Sequence, residues 1–330
     1  MISQDFIVFG ETSFNSYINS IKENYPLLYS KLDEKRISSE NIINYYQSLN
    51  KVSWEFENQS KGGRGDHYSI AQEISDVRAT GINKLLSYFK YPIDFERANF
   101  EKIMILDVLG GPGTIYRCLQ KNADDTFSVI NSDISDFMCQ CAYREGIPTV
   151  RESSDRLLFK DSSLDGVLIA YGTHHIKKEL LSTSLEEAFR VLKNKRKIVI
   201  HDFECGSSTE KWFQNVVNKY ASTKHPHGHF RADDFYRLLI GAGFSDIIIE
   251  RIDDPFIIID ESYESAMSRM LRYIINMYDL YEFIDENNTV KNDLLYLLKE
   301  NFNGPSVACE SNNRYKITLS RTALVGVGEK

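Results

Sequence analysis

No apolar run in this 330-residue chain approaches the ~18 residues that a membrane-spanning helix needs. The opening stretch "MISQDFIVFGETSF" carries Asp5 and Glu11 and no basic segment, so no targeting signal is expected. Basic charge is in deficit too. With 39 Lys and Arg against 47 Asp and Glu, the formal net charge is −8. That argues against a phosphate-backbone partner, which is held by a basic face that releases counterions. The five cysteines (Cys118, Cys139, Cys141, Cys205, Cys309) are odd in number and form no C-x-x-C pair, so neither a disulfide framework nor a zinc spacing is signalled. Repeats and low-complexity tracts are missing as well. The expectation is a soluble, cytoplasmic chain whose thiols bury as small hydrophobes and whose partner is a small molecule, not nucleic acid or membrane.

What is present is an ordered alternation of patterns. Residues 13 to 58 read as helical, with Ile18, Ile21, Tyr25, Leu28 and Leu32 at steps of three to four. A break follows at "NQSKGGRGDHY", where Asp66 is placed to cap a helix over about 67 to 90. From residue 102 short apolar strands ("KIMILDV", "TFSVINSD", "DGVLIAYG", "RKIVIHDF", "DIIIERI") alternate with helical runs. That is the pattern of a doubly wound, mostly parallel sheet covered on both faces. Residues 262 to 302 return to helix, and "YKITLSRTALVGVG" reads as a final strand. The predicted division is a helical N-terminal region (1–95), an α/β core (96–260), a helical insertion acting as a lid or homodimer contact (261–312) and a last core strand (313–330). Glu282, Asp285 and Glu286 read as a solvated helix end.

"ILDVLGGPGT", residues 105 to 114, carries the chemistry. Gly110, Gly111 and Gly113 let the chain turn sharply after a strand and let a ligand approach the backbone, with a helix N-terminus behind. A dinucleotide fingerprint needs G-x-G-x-x-G, but counting from Gly111 the third position is Tyr116. Asp107, at the strand end, would repel a pyrophosphate and suits a cationic ligand group. The second strand ends in "NSDIS", where Asp133 is placed to accept hydrogen bonds from both ribose hydroxyls of an adenosine, with Ile134 on the base. Adenosine cofactors of several kinds share that feature.

Taken in order and spacing, "ILDVLGGPGT", "INSDIS", "DRLLFKDSSLDGVLIAYGTHHI", "EEAFRVLKNKRKIVIHDFE" and "LLIGAGFSDIIIERI" resemble the class I S-adenosylmethionine-dependent methyltransferases that modify small molecules. The resemblance covers about residues 66 to 258 plus the last strand. It implies a seven-stranded sheet of Rossmann-like type whose last strand runs antiparallel. It also implies that the glycine loop receives the methionine part of S-adenosyl-L-methionine, that Asp107 orders that loop and the cofactor's amino group, and that Asp133 holds the ribose. Many members carry an Asp that binds the adenine amino group where this chain has Ser153, followed by Ser154 and Asp155. Tyr68 and Tyr171 are placed with the cofactor contacts.

Methyl transfer asks the protein to align an acceptor and, where the acceptor is weakly acidic, to take its proton. All histidines except His67 fall between 174 and 229. His174 and His175 close the fourth strand and His201 the fifth, where ligands of an open α/β sheet sit; these three are the candidate bases. "HPHGH" adds His225, His227 and His229, which alternation would turn to one side. With His201 and Asp202 they make an alternative iron or zinc environment, suited to a C-methyltransferase of a keto or enol acid. The leading expectation is methylation of an O or C atom of a small aromatic or amino-acid-derived metabolite in specialised biosynthesis. Aromatics in the flanks (Tyr45, Tyr46, Trp54, Phe56, Trp212, Tyr220, Tyr273, Tyr278, Tyr281) suit a flat or apolar acceptor. The fourth strand ends "AYGTHH", without the Asn/Asp-Pro-Pro-Tyr/Phe tetrad of nucleobase amino methylation. A non-catalytic cofactor-binding scaffold and a nucleotide-linked oxidoreductase are the remaining classes, the second opposed by Tyr116.

Overall fold

The computed structural model describes residues 6–38, 40–52, 54–90, 102–281 and 290–330; the boundary predicted near residue 95 and the acidic residues Glu282, Asp285 and Glu286 lie outside them. Seven strands form the main sheet: β1 (Ile103–Asp107), β2 (Phe127–Asp133), β3 (Thr149–Arg151), β4 (Leu164–Ile169), β5 (Leu192–Asp202), β6 (Ser245–Asp253) and β7 (Thr322–Glu329). Their order is β3-β2-β1-β4-β5-β7-β6. Strands β1 to β5 pair in parallel, and β7 runs antiparallel between β5 and β6.

Period-two alternation explains why both faces are covered. Leu106, Val167, Ile198 and Leu324 join a core with the N-terminal helices. Their neighbours Ile105, Leu168, Val199 and Val325 turn to a second core on the other face, with Ile82, Leu85 and Leu86 of the helix Ala79–Ser87. Each such fully buried aliphatic side chain contributes about 1.5–3 kcal/mol, so a register slip of one residue would invert the whole pattern.

Outside the sheet the predicted boundaries shift. The stretch read as helix from residue 13 is broken into Phe14–Asn24, Pro26–Lys31, Glu34–Ser38 and Glu40–Asn50. Pro26 starts its own helix because it has no N–H to continue the preceding one. Residues 54 to 58 are not helical. The helix predicted over about 67 to 90 is Gly65–Gln72, a tight turn Ser75–Arg78 and Ala79–Ser87, and Asp66 lies in the first turn, accepting the N–H of Gln59 at 2.6 Å.

The C-terminal strand is corrected more sharply. Tyr315–Leu319 does not join the main sheet; it pairs with Phe256–Asp260 and Ser306–Cys309 in a separate three-stranded sheet. The chain changes sheets at Arg321, which is buried in an ion pair with Asp254. Asp254 also accepts the Tyr171 hydroxyl at 3.1 Å, and Arg78 donates to the Tyr273 hydroxyl at 3.0 Å. This polar seam fastens the insertion, with its helices Tyr263–Tyr278 and Val290–Phe302, to the sheet. Cys118 and Cys139 are buried as expected of small hydrophobes, whereas Cys205 and Cys309 are exposed. Among the described residues no helix is long and apolar enough to cross a membrane.

Candidate active site

A cavity of about 340 Å³ opens beside the carboxyl ends of β1, β2 and β4, at the lower end of the range for small-molecule sites. Gly111, Asp133, Ile134, Glu152, Ser153 and Ser154 line it, and so do Tyr171 and the imidazole-bearing His175 and His227. Trp54, Glu55 and Phe56 close it from the N-terminal region, with Tyr68 beside Phe56. No described residue of the insertion lines it.

The glycine loop is shaped by what surrounds it. A Cβ on Gly110 would lie 2.0 Å from Asn131 Oδ1 and 3.0 Å from Asp107 Oδ2, and Gly113 has φ +88° with its would-be Cβ 2.4 Å from Ile147; neither position accepts a side chain. Asp133 receives the N–H of Gly111 and of Ser135, each at 2.9 Å. Burial nevertheless raises it to about 6, against the pull of those N–H groups. Asp107 is wholly buried, its Oδ2 has no partner, and burial with the charge of Asp133 pushes it up to about 8. Burial raises Glu152 to about 8 as well.

Two of six neighbouring histidines, His175 and His227, line the cavity. On β5 successive side chains point to opposite faces, so His201 and Asp202 part company. Asp202 accepts from His174, at 2.7 Å from Nδ1 and 2.6 Å from the backbone N–H. Burial opposes ionisation of Asp202, but His174 and the N–H of Phe203 hold it below its usual range. His201 is fully buried, accepts the Tyr171 N–H at Nδ1 (3.2 Å) and faces Asp254 at 3.9 Å. Within "KHPHGHF", His225, His227 and His229 alternate inward with exposed Pro226 and Gly228, and their rings contact His174 at centroid distances of 4.8, 5.8 and 5.3 Å. Glu55 is shared: its Oε2 lies 3.1 Å from His175 Nδ1 and 3.4 Å from His227 Nε2. Although burial favours its neutral form, His175 and Arg64 draw Glu55 well below the carboxylate range. His175 is lowered to about 4 by burial, partly offset by Glu55.

A methyltransferase-domain family model matches residues 105–195, which contain the glycine loop, Asp133 and the His174–His175 turn of this strand order. Residues 105–195 are thus a methyltransferase domain, and the motifs around them resemble those of the class I S-adenosylmethionine-dependent methyltransferases. The methyltransferase is 25% identical over 217 residues to the ubiquinone/menaquinone biosynthesis C-methyltransferase UbiE of Bartonella quintana, covering 56% of this chain and 80% of that protein. With the UbiE of Bartonella tribocorum it shares 31% over 148 residues, 41% of this chain and 55% of the relative. Among solved structures, a SAM-dependent methyltransferase from Archaeoglobus fulgidus superimposes with a TM-score of 0.45 at 17% identity, covering 78% of this chain and 94% of the other.

The residues present fit S-adenosylmethionine. The unpartnered, buried Asp107 Oδ2 and Asn131 Oδ1 are acceptors awaiting a donor, the crowding at Gly110 and Gly113 keeps that loop free of side chains, and the acid at the end of β2 stands at the cavity wall. Of the residues named from sequence as cofactor contacts, Tyr68, Gly111, Asp133, Ile134, Ser153, Ser154 and Tyr171 line the cavity; Asp107, Gly110 and Gly113 stand behind it. Ser153 is partly committed, its N–H to the Tyr45 hydroxyl at 2.6 Å and its hydroxyl to Asp155.

Among the candidate bases, His175 lines the cavity, whereas His174 and His201 do not. His201 is a fully buried strand residue, and among the described residues it is in none of the groups placed to hold a metal ion, whereas Asp202 and His229 group with His174. Trp54 and Phe56 are the only ones of the named aromatics on the cavity wall among the described residues; Tyr46, Trp212 and Tyr273 are core. Glu55 was missed by sequence reasoning. Its one signal, a carboxylate between Trp54 and Phe56, does not separate it from an ordinary surface acid.

Proposed function

We propose that this enzyme methylates an oxygen or carbon atom of a small, flat acceptor that lies between Trp54, Phe56 and the His175–His227 pair, in specialised biosynthesis. The observation that carries the reading is Glu55, held between two imidazoles at the wall of the cavity that also contains Asp133. Bound S-adenosylmethionine supplies an electrophilic methyl carbon whose sulfur leaves as a neutral thioether. The work of the chain is to hold the acceptor atom in line and to receive its proton. An imidazole of the pair takes that proton, and the Glu55 carboxylate stabilises the imidazolium formed. Apolar walls from Leu109, Ile176 and Leu180 exclude water from the acceptor.

The UbiE relatives are named as C-methyltransferases of ubiquinone and menaquinone biosynthesis, which favours an enolisable or phenolic ring as acceptor class. The test is a panel of hydroquinones, phenols and 2-oxo acids assayed for S-adenosylhomocysteine release with wild-type and Glu55→Gln enzyme. Turnover on a ring or enol acceptor, reduced about a hundredfold or more in Glu55→Gln with cofactor affinity unchanged, supports the reading. Equal turnover in the two proteins removes Glu55 and its imidazoles from proton transfer.

A further inference from the structure

The histidine cluster contains more nitrogen than proton transfer needs. His225 is buried, and neither of its ring nitrogens has a hydrogen-bond partner; His174 Nε2 is likewise buried and unpartnered. An imidazole nitrogen in that state loses its water and gains nothing, so such a group is kept for a partner that arrives from outside. We propose that His174, His175 and His225 form a binding site for a divalent first-row transition cation of the zinc or ferrous-iron class.

Four observations carry this. One ligand atom from each of the three residues lies within 4.8 Å of the others, and side-chain rotation on binding has to bring them to the ~3.3 Å separation that tetrahedral bonds of about 2.0–2.1 Å require. His174 gives its Nδ1 to Asp202 and His175 its Nδ1 to Glu55; such carboxylate partners fix the tautomer and turn the far nitrogen toward an ion. His225 is set by stacking instead, its ring 4.0 Å from that of Phe213 with an interplanar angle of 19°. Phe213 opens the π-helical turn Phe213–Val217, a rare widened turn that is frequent at functional sites. Finally, the donors are three imidazole nitrogens without thiolate, the set that Zn and Fe accept and that Mg and Ca do not.

Three protein ligands leave a coordination position open. Because His175 lines the cavity, that position is reached from the acceptor end, and an oxygen of the acceptor is the ligand class that completes it. His227, outside the set, keeps Glu55 for proton transfer. The site goes beyond the proposed reaction and stands without it.

The experiment uses full-length protein stripped with a chelator and dialysed. Co²⁺ is titrated while the d–d absorption is followed, Zn²⁺ affinity is measured by competition with a colorimetric chelator, and S-adenosylmethionine binding is measured on the same samples as a control for fold. The expected result is one equivalent of Co²⁺ with a tetrahedral or five-coordinate spectrum in wild type. His225→Gln weakens Zn²⁺ by about a hundredfold and His227→Gln leaves it as in wild type, both variants binding the cofactor normally. No stoichiometric metal in wild type, or equal affinity in wild type and His225→Gln, overturns the site. Cofactor binding lost in wild type as well would count against the methyltransferase assignment and leave the metal result to stand on its own.

Discussion

Cofactor binding should expel a proton, and Asp107 is its source. In the free protein burial, and then the charge of Asp133, push this carboxyl up to about 8. One pKa unit being a factor of ten, about nine in ten of these groups carry a proton at pH 7. The ammonium at the methionine end of the cofactor is the expected partner of the unpaired Oδ2, and a cation within ~4–6 Å favours the ionised carboxylate. Binding at pH 7 then releases about 0.9 proton, and affinity falls by about tenfold for each pH unit below 7, since the proton must leave before the pair can form. The same linkage acts on the free fold. A carboxyl raised in the folded state contributes stability fully present below its unfolded value of about 4 and lost as pH rises through about 8, so Asp107→Asn gains on wild type across that window. The assay is titration calorimetry with S-adenosylmethionine between pH 5.5 and 7 in buffers of different ionisation enthalpy. A measured release near zero in wild type, or one that persists in Asp107→Asn, would refute the argument; persistence would transfer the proton to Glu152, also raised to about 8.

Asp133→Ala is expected to cost cofactor affinity about a hundredfold, two hydrogen bonds to a charged group being lost, and also to lower the unfolding midpoint, because the N–H groups of Gly111 and Ser135 lose their acceptor; an unchanged Kd would place the ribose elsewhere. His201→Ala should destabilise by about 2–4 kcal/mol, as truncation of a fully buried ring does, while kcat of the folded fraction stays within about threefold; a large fall in kcat at unchanged stability would restore His201 to the chemistry. Gly110→Ala drives a methyl to 2.0 Å from Asn131 Oδ1, so denaturant unfolding should show a loss of about 1–3 kcal/mol, and wild-type stability would mean the loop yields.

The sheet was legible because each strand is a nearly continuous apolar run and each switch to helix is marked by a change of period from two to 3.6. The glycine turn after β1 and the placing of Asp133 at the cavity wall were legible because residue type at fixed offsets sets such a turn. Distant pairing was not. Nothing in the local sequence tells that His174, 28 residues before Asp202, would claim its carboxylate, since that depends on the parallel register of β4 on β5. Strand alternation alone separates His201 from Asp202, a rule available from sequence that the proximity of the two residues obscured. Glu55 reaches His175 across more than a hundred residues, and only the packing of the N-terminal segment over the sheet ends brings them together.

The position of β7 has a consequence for how the protein is made. Thr322–Glu329 lies between β5 and β6, so β6, although synthesised more than seventy residues earlier, has no neighbour to pair with until this last strand leaves the ribosome. During synthesis β5 therefore presents an open edge, and the growing chain carries two unpaired strand rims of the kind that seed misassembly. Completion of the sheet is a single late event, comparable to setting a keystone, and a nascent chain stalled before residue 322 would need a chaperone to shield a surface that the finished enzyme never shows.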